Sequence, residues 1–306
     1  LRDVTTEEMI VFPGMEELFS LLQIKRHAQG GEFDAIVVDC APTGETLRLL
    51  SYPNVIEWWM DKIFPHERRL IKVLRPVAMV VSGYELPSEE VLNSIELLMR
   101  DLEDMQRFLL NPEMTSVRIV LNPEKMVISE AKRSFTYLNL FGFHTDAIIV
   151  NRVLPKEAAE GFLAHWYQIH QKYEAEIHEN FSPLPILRVP LMNEEVCGLE
   201  MLDKVGDLLF EDQEASAIMY AGRTEEIRKE DNMYYLDLAI PFVDKEEIDL
   251  TQKGDELTIH VGSYKRKVIL PRALMGSTLD GAKFANGKLS VRFVSASKAG
   301  SKAVKR

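Results

Sequence analysis

Seven residues, Asp39-Cys40-Ala41-Pro42-Thr43-Gly44-Glu45, carry the strongest chemical signal in the chain. The apolar run 33–38 leads into the aspartate, and a proline–glycine turn follows it. Such a run reads as a strand buried on both faces, as in parallel sheets. A carboxylate at the strand end can hold Mg²⁺, directly or through water, beside the β- and γ-phosphates of a nucleotide. Gly44 has no Cβ, so the backbone there can approach a terminal phosphate closely. A loop held by such contacts and released on hydrolysis is a switch. Open α/β sheets that bind no nucleotide also end strands this way, so spacing alone leaves both readings open.

The other reactive side chains form no comparable pattern. Cys40 and Cys197 are the two cysteines, and they make no CxxC pair. That usage fits a reducing compartment without a disulfide framework or a zinc site. His165, His170 and His178 share one helical stretch, but none stand at i,i+4 and there is no HExxH. Satisfied or solvated histidines are the simpler reading.

The elements that would position Asp39 can be read from periodicity. The runs 117–121, 147–150 and 186–189 resemble the one before Asp39 and predict further buried strands. Helical patterns lie between them. Ser88 can cap a helix with Glu89 and Glu90 in its first turn. Its apolar positions run Val91, Ile95, Leu98, Leu102, Met105, Leu109. Asn122-Pro123-Glu124 predicts a cap with proline at the first helical position, and Gly142 predicts the end of that helix. A third helix is expected over about 156–179, with the stripe Ala158, Phe162, Trp166, Ile169, Tyr173, Ile177. Strands alternating with helices of this length imply a doubly wound, mostly parallel α/β sheet.

After about Gly222 the pattern changes to short strands, at 234–240, 257–261, 265–270 and 288–294, separated by turns such as Lys253-Gly254-Asp255 and Asn286-Gly287. This predicts a C-terminal all-β sandwich. Charge divides at the same place. From Glu226 onward there are 15 basic and 11 acidic residues, near +4, whereas the whole chain of 306 residues carries −12. Net negative charge excludes a general nucleic-acid binder, which needs clustered Lys and Arg. No apolar run approaches the roughly 20 residues of a membrane helix, so no integral membrane segment is expected. No signal peptide is visible, and the first residue is Leu1, which leaves room for a segment upstream.

The string Asp-x-Ala-Pro-Thr-Gly-x-Thr-Leu-Arg-Leu-Leu from Asp39 resembles the second switch of the arsenite-pump and tail-anchored-protein-targeting ATPases, deviant members of the P-loop class. Further matches follow in family order over about residues 1–210. They are Pro13-Gly14-Met15-Glu16-Glu17, Val120-Leu121-Asn122-Pro123-Glu124 followed by Glu130-Ala131-Lys132-Arg133, Ile148-Ile149-Val150-Asn151, and Val189-Pro190-Leu191. The resemblance implies that Asp39 is the Mg²⁺-proximal acid, holding the ion through water. It implies that Pro42, Thr43 and Gly44 sense the γ-phosphate, with Asp39, Thr43 and Gly44 catalytic, and that Asn151 and Pro190 contact the adenine of ATP. Taken alone, Asn151 could equally be a strand-end residue bonding its own turn.

The sequence departs from this family in three ways. It contains no G-x-x-x-x-G-K-[ST], whose backbone amides and lysine cradle phosphates. The P-loop-type sheet is therefore expected to be incomplete, and ATP and Mg²⁺ to need an N-terminal segment absent from this chain, which alone is expected to be inactive. The stretch 159–166, where eukaryotic targeting members carry a zinc-binding CxxC, has no cysteine, so no zinc is expected; a homodimer sandwiching nucleotide is still expected. Arsenite wants about three thiolates, which two separated cysteines cannot supply.

Residues 52–114 are rich in large apolar side chains, including Trp58, Trp59, Met60, Phe64, Met99, Met105 and Phe108. The targeting branch holds a client's transmembrane helix in this region, and flexible Met suits such a groove. The competing reading is ordinary core. The C-terminal segment Ala282-Lys283-Phe284-Ala285-Asn286-Gly287-Lys288-Leu289-Ser290-Val291, with Gly254-Asp255-Glu256-Leu257 and Val268-Ile269-Leu270-Pro271, resembles the α-crystallin domain of small heat-shock proteins. The expected organisation is an ATPase part at 1–213 with a helical insertion at about 52–114, a linker at 214–225, a β-sandwich at 226–294 and a tail at 295–306. The expected function is a cytoplasmic, ATP-dependent targeting or chaperone ATPase for hydrophobic-helix or membrane-protein clients. The alternatives are an anion-pump-driving subunit and a nucleotide-independent holdase or scaffold.

Overall fold

The computed structural model describes residues 15–40, 88–230, 233–271 and 274–294. The chain divides into two compact units, 1–109 with 267–269, and 110–266 with 270–306.

In the first unit, helix α1 (Met15–Gly30) packs against helix α2 (Glu89–Leu109). Ser88 caps α2 as expected, its Oγ accepting from the Val91 amide at 3.2 Å, with Glu89 and Glu90 in the first turn. The α2 stripe buries Leu92, Leu102, Met105 and Leu109. Lys25 of α1, itself buried, donates to Asp101 of α2 at 2.7 Å. Residues 33–40 correct one expectation, because they form no strand and are exposed, Val37 to 94%. A two-face-buried strand exists only with a hydrogen-bonded neighbour and covering helices. Among the described residues this run has no ladder partner.

The second unit opens with a three-stranded parallel sheet in the order β1 (Val117–Leu121), β2 (Thr145–Val153), β3 (Ile186–Pro190). β2 lies in the middle, and Ala147, Ile148 and Val150 are buried. Helix α3 (Lys125–Leu140) crosses from β1 to β2 and packs on both. It starts two residues later than Asn122-Pro123 suggested, with Glu124 as its N-cap, and stops where predicted, at Gly142 (φ +83°). The third expected helix is broken. Residues 156–163 make two 3₁₀ turns, Gly161 sits at φ +74°, and helix α4 runs only over Ala164–Phe181. Glycine's freedom to take positive φ ends one helical turn and starts another at a different angle. The predicted stripe holds at its two ends, where Ala158 and Ile177 are buried, and fails between them, where Phe162 is 95% and Trp166 52% exposed; α4 also buries Phe181, one turn beyond Ile177. Helix α5 (Gly198–Phe210) follows β3 and packs against it.

The C-terminal module has two antiparallel sheets. One is ordered β4 (Glu225–Glu230), β5 (Met233–Ala239), β10 (Lys288–Val294), β9 (Thr278–Ala285). The other is β6 (Ile248–Lys253), β7 (Glu256–Val261), β8 (Tyr264–Ile269). Alternation buries Leu236 and Leu238 on β5, Leu257, Ile259 and Val261 on β7, and Leu289, Val291 and Phe293 on β10. Asn286 (φ +53°) and Gly287 (φ +68°) supply the two positive φ values of a tight hairpin between β9 and β10.

This module is fastened to α3. Thr136 Oγ1 donates to the Pro241 carbonyl at 2.7 Å. Phe242 meets Phe181 at 5.7 Å and Phe135 at 6.2 Å between ring centroids, while Phe135 and Phe181 meet at 5.7 Å. Arg266, buried, donates from Nη1 to the Leu140 carbonyl and from Nη2 to Glu225 Oε2, both at 2.7 Å. The segment expected as a linker makes hydrogen bonds to the sheet. Arg118 of β1 donates to the carbonyls of Ala215 (2.7 Å) and Ala217 (2.9 Å), and the Met219 amide donates to Asp146 (3.1 Å). His144 Nε2 donates to the Tyr220 carbonyl at 2.5 Å. A Cβ at Gly222 would collide with the Tyr220 ring, so the turn into β4 needs glycine there.

Candidate functional site

Open α/β sheets bind ligands beyond the carboxyl ends of their strands. In this sheet β2 and β3 reach that edge together, with Val153 paired to Pro190 and the Leu191 amide donating to the Val153 carbonyl at 2.8 Å. Between Val150 and Val153 the register shifts, leaving Asn151 and Arg152 outside the regular ladder. Arg152 takes φ +55°, a left-handed conformation that turns the chain sharply. A bulge at a strand end re-aims the side chain it carries, and here that side chain is Asn151. Asn151 and Pro190 therefore share one edge of the sheet on adjacent strands, both half-buried.

Asn151 Oδ1 accepts from the Arg152 amide at 3.0 Å, which holds the side chain in place. Among the described residues its Nδ2 has no protein acceptor. An amide fixed through its oxygen and offering its NH₂ group fits a ring nitrogen of a purine base. Pro190 beside it offers a rigid apolar surface on which such a base can rest. The two residues thus fit adenine by their chemistry, and the same oxygen contact satisfies the turn, as a strand-end Asn would do in any case.

Asp39 lies in the first unit, exposed, at the end of the irregular run 33–40. Pro42, Thr43, Gly44, Trp58, Trp59, Met60 and Phe64 lie outside the described residues. Of the expected client-groove residues on α2, Met105 is fully buried and Phe108 is half-buried. Met99 lies on α2 as well.

Periodicity did not reveal the buried ion pair at the opposite end of the sheet. Asp146 is fully buried at the start of β2, and Arg118 approaches it at 3.4 Å. The available signal was an acid at the head of the run 147–150, which a buried strand tolerates only with a partner.

A helix-flanked parallel sheet joined to an antiparallel sandwich is the architecture of a P-loop-type α/β ATPase domain carrying a small-heat-shock-type module. The anion-transporting ATPase family matches residues 1–211, and the HSP20-like domain found in ArsA matches residues 231–293. The chain belongs to the anion-transporting ATPase family, whose members use nucleotide and Mg²⁺. An Aquifex aeolicus protein with the provisional name arsenical pump-driving ATPase 1 is 40% identical over 278 residues, 90% of this chain and 70% of that protein. Proteins of Chlorobaculum tepidum and Prosthecochloris vibrioformis, both provisionally named arsenical pump-driving ATPase, are each 36% identical over 293 residues, 95% of this chain and 72% of theirs. No helix among the described residues is long and apolar enough to cross a membrane.

Proposed function

We propose that this protein is an ATP-dependent targeting or chaperone ATPase whose clients are hydrophobic helices of membrane proteins, and that it works in the cytoplasm as a homodimer. The observation that carries this reading is the fastening of the sandwich to α3 by Thr136, Arg266 and the Phe135–Phe181–Phe242 cluster. Helix α3 leaves the sheet directly after β1, so a fold of the client-handling type is built onto the ATPase core. Fold by itself does not give function, and the client reading also draws on the Met- and aromatic-rich stretch 52–114 and on α2, which leaves Val91 and Leu97 exposed.

In this reading the ATPase part spans 1–213, residues 214–225 join it to the sandwich at 226–294, and 295–306 form a tail. Asn151 and Pro190 seat adenine, Asp39 serves Mg²⁺, and Pro42, Thr43 and Gly44 form the switch. Trp58, Trp59, Met60, Phe64, Met99 and Phe108 contribute to the client region, whereas Met105, fully buried on α2, belongs to the core beneath it. The chain contains no G-x-x-x-x-G-K-[ST], so by itself it turns over no ATP.

The second reading is an anion-pump-driving subunit, which the names of the relatives favour. The count of two cysteines speaks against a three-thiolate arsenite site on one chain. One experiment separates the two. The longest natural form of the protein is purified, and its ATP turnover is measured with a tail-anchored model helix and, separately, with arsenite. Capture of the helix with altered turnover supports targeting. Stimulation by arsenite with no capture of several different helices supports the pump and removes the client reading. Turnover by the 306-residue chain alone would refute its proposed inactivity.

A further inference from the structure

The outward face of the β4–β5–β10–β9 sheet carries a trough of about 490 Å³, the size of a small-molecule site. Its lining contains Arg228, Lys283, Lys288 and Arg292 and no acidic residue. The strand register explains the arrangement. Arg228, Tyr235, Arg292 and Gly281 form one row across the sheet, because Tyr235 pairs with both Arg228 and Arg292, and Arg292 with Gly281. Asp237, Ser290 and Lys283 form the next row, and Lys288 pairs with Ala285 in the row after. Small residues thus floor the trough while long cationic side chains wall it. Gly281 lies on this floor, 3.6 Å from Arg292 Nη2 as measured from where its Cβ would stand, an ordinary contact distance.

The cations are held apart by one carboxylate beneath them. Asp237, 2% exposed, accepts from Arg228 Nε at 2.6 Å, Lys288 Nζ at 2.8 Å and Ser290 Oγ at 2.5 Å. One buried anion therefore fixes two cations, Arg228 and Lys288. The Arg228 guanidinium lies 4.1 Å from the Tyr235 ring centroid, a stacking contact that further restricts it. Glu230 and Asp280 hold Arg228 and Arg292 from outside the lining. Arg292 Nε is buried without a hydrogen-bond partner among the described residues, a donor that ordinarily finds an acceptor. Lys283 makes no ion pair among the described residues.

We propose that this trough is a binding site for a multiply charged, phosphate-bearing small anion. Two guanidinium forks suit tetrahedral oxyanions, and two ammonium groups supply further charge at a fixed spacing. A trough lined by four cationic side chains and no carboxylate favours a ligand that offers several anionic oxygens. The site lies on the sandwich and is independent of the ATPase reading.

The test is titration calorimetry of the 306-residue chain with inorganic tripolyphosphate and, separately, with ATP, at low salt. Lys283→Glu and Arg292→Gln are the informative variants, since neither residue holds Asp237. Each is expected to weaken tripolyphosphate binding by about tenfold or more, with the melting temperature preserved, while Asn151→Ala leaves it unchanged. Equal affinity for tripolyphosphate and ATP in the Asn151→Ala background assigns the site to the phosphate chain. Tighter binding of ATP there, abolished by Lys283→Glu, assigns it to a nucleotide's phosphates. No binding of either anion at about 1 mM, or a loss smaller than tenfold in both variants, overturns the proposal.

Discussion

Arg118 reaches Asp146 across the first two strands of the parallel sheet at 3.4 Å, and the same guanidinium grips the carbonyls of Ala215 and Ala217. One arginine on β1 thus closes a buried carboxylate and pins the connection between the two folds. Asp146 in turn accepts from the Met219 amide, so the connection is held from both sides of the pair. With the contacts of Arg266 and Phe242 to the α3 and α4 region, this makes the sandwich a fixed part of the second unit.

Arg118→Ala should lower the unfolding free energy by about 3 kcal/mol, because it leaves Asp146 buried without its counter-charge. Asp146→Ala should cost a similar amount, and the double variant clearly less than the two together. Urea denaturation checks the energies. Limited proteolysis should show new cleavage between 214 and 222 in Arg118→Ala.

Arg266→Ala should cost about 2 kcal/mol by orphaning the Leu140 carbonyl and Glu225. Arg266→Lys should not restore the loss, since one ammonium group cannot serve two acceptors placed for a planar fork. Thermal melting of the three proteins decides it, and full recovery in the lysine variant would show that charge alone suffices.

The Asp237 carboxyl titrates below the ordinary carboxylate range. Burial pushes it upward, but the bonds from Lys288, Ser290 and Arg228 outweigh that effect. Its folded value therefore lies below its unfolded value of about 3.9. The stabilisation it provides is complete above that pH and is lost as pH falls from there through the folded value. Asp237→Asn should flatten this acid limb in a plot of unfolding free energy against pH; an unchanged slope below pH ~4 would show that Asp237 does not drive it.

Asn151→Ala removes the side-chain cap on Arg152 and the amide proposed to read adenine. Stability should fall by about 1 kcal/mol for the lost hydrogen bond. ATP affinity of the longest natural form should fall by about tenfold, with discrimination against GTP reduced. Fluorescent-nucleotide competition measures both, and the base-discrimination readout separates recognition from a merely structural cap.

Near-neighbour patterns carried much of this protein. The runs at 117–121, 147–150 and 186–189 became β1, β2 and β3, since apolar β-rich runs between helices have few other places to go. Ser88, Gly142 and Asn286-Gly287 marked ends and turns because capping and positive φ are properties of a few adjacent residues. That Asn151 and Pro190 act together was implied only by the family resemblance, and it is the pairing of β2 with β3 that sets them on one edge. What failed depended on distant partners. The run 33–39 has strand composition, but a strand needs a ladder that its own sequence cannot supply. The stripe from Ala158 to Ile177 has helical spacing throughout, but Gly161 interrupts the helix and Phe162 is exposed, while Ala158 and Ile177 are buried as read. The stretch 225–230, for which no strand was expected, is β4 because β5 pairs with it. Above all, Arg118 meets Asp146 28 residues away and Ala217 99 residues away. Local sequence determined most of the strands, helices and turns. Only tertiary structure decided which charges meet, because a buried ion pair is selected by the desolvation cost of leaving either member alone, and that cost exists only once the chain has folded around it.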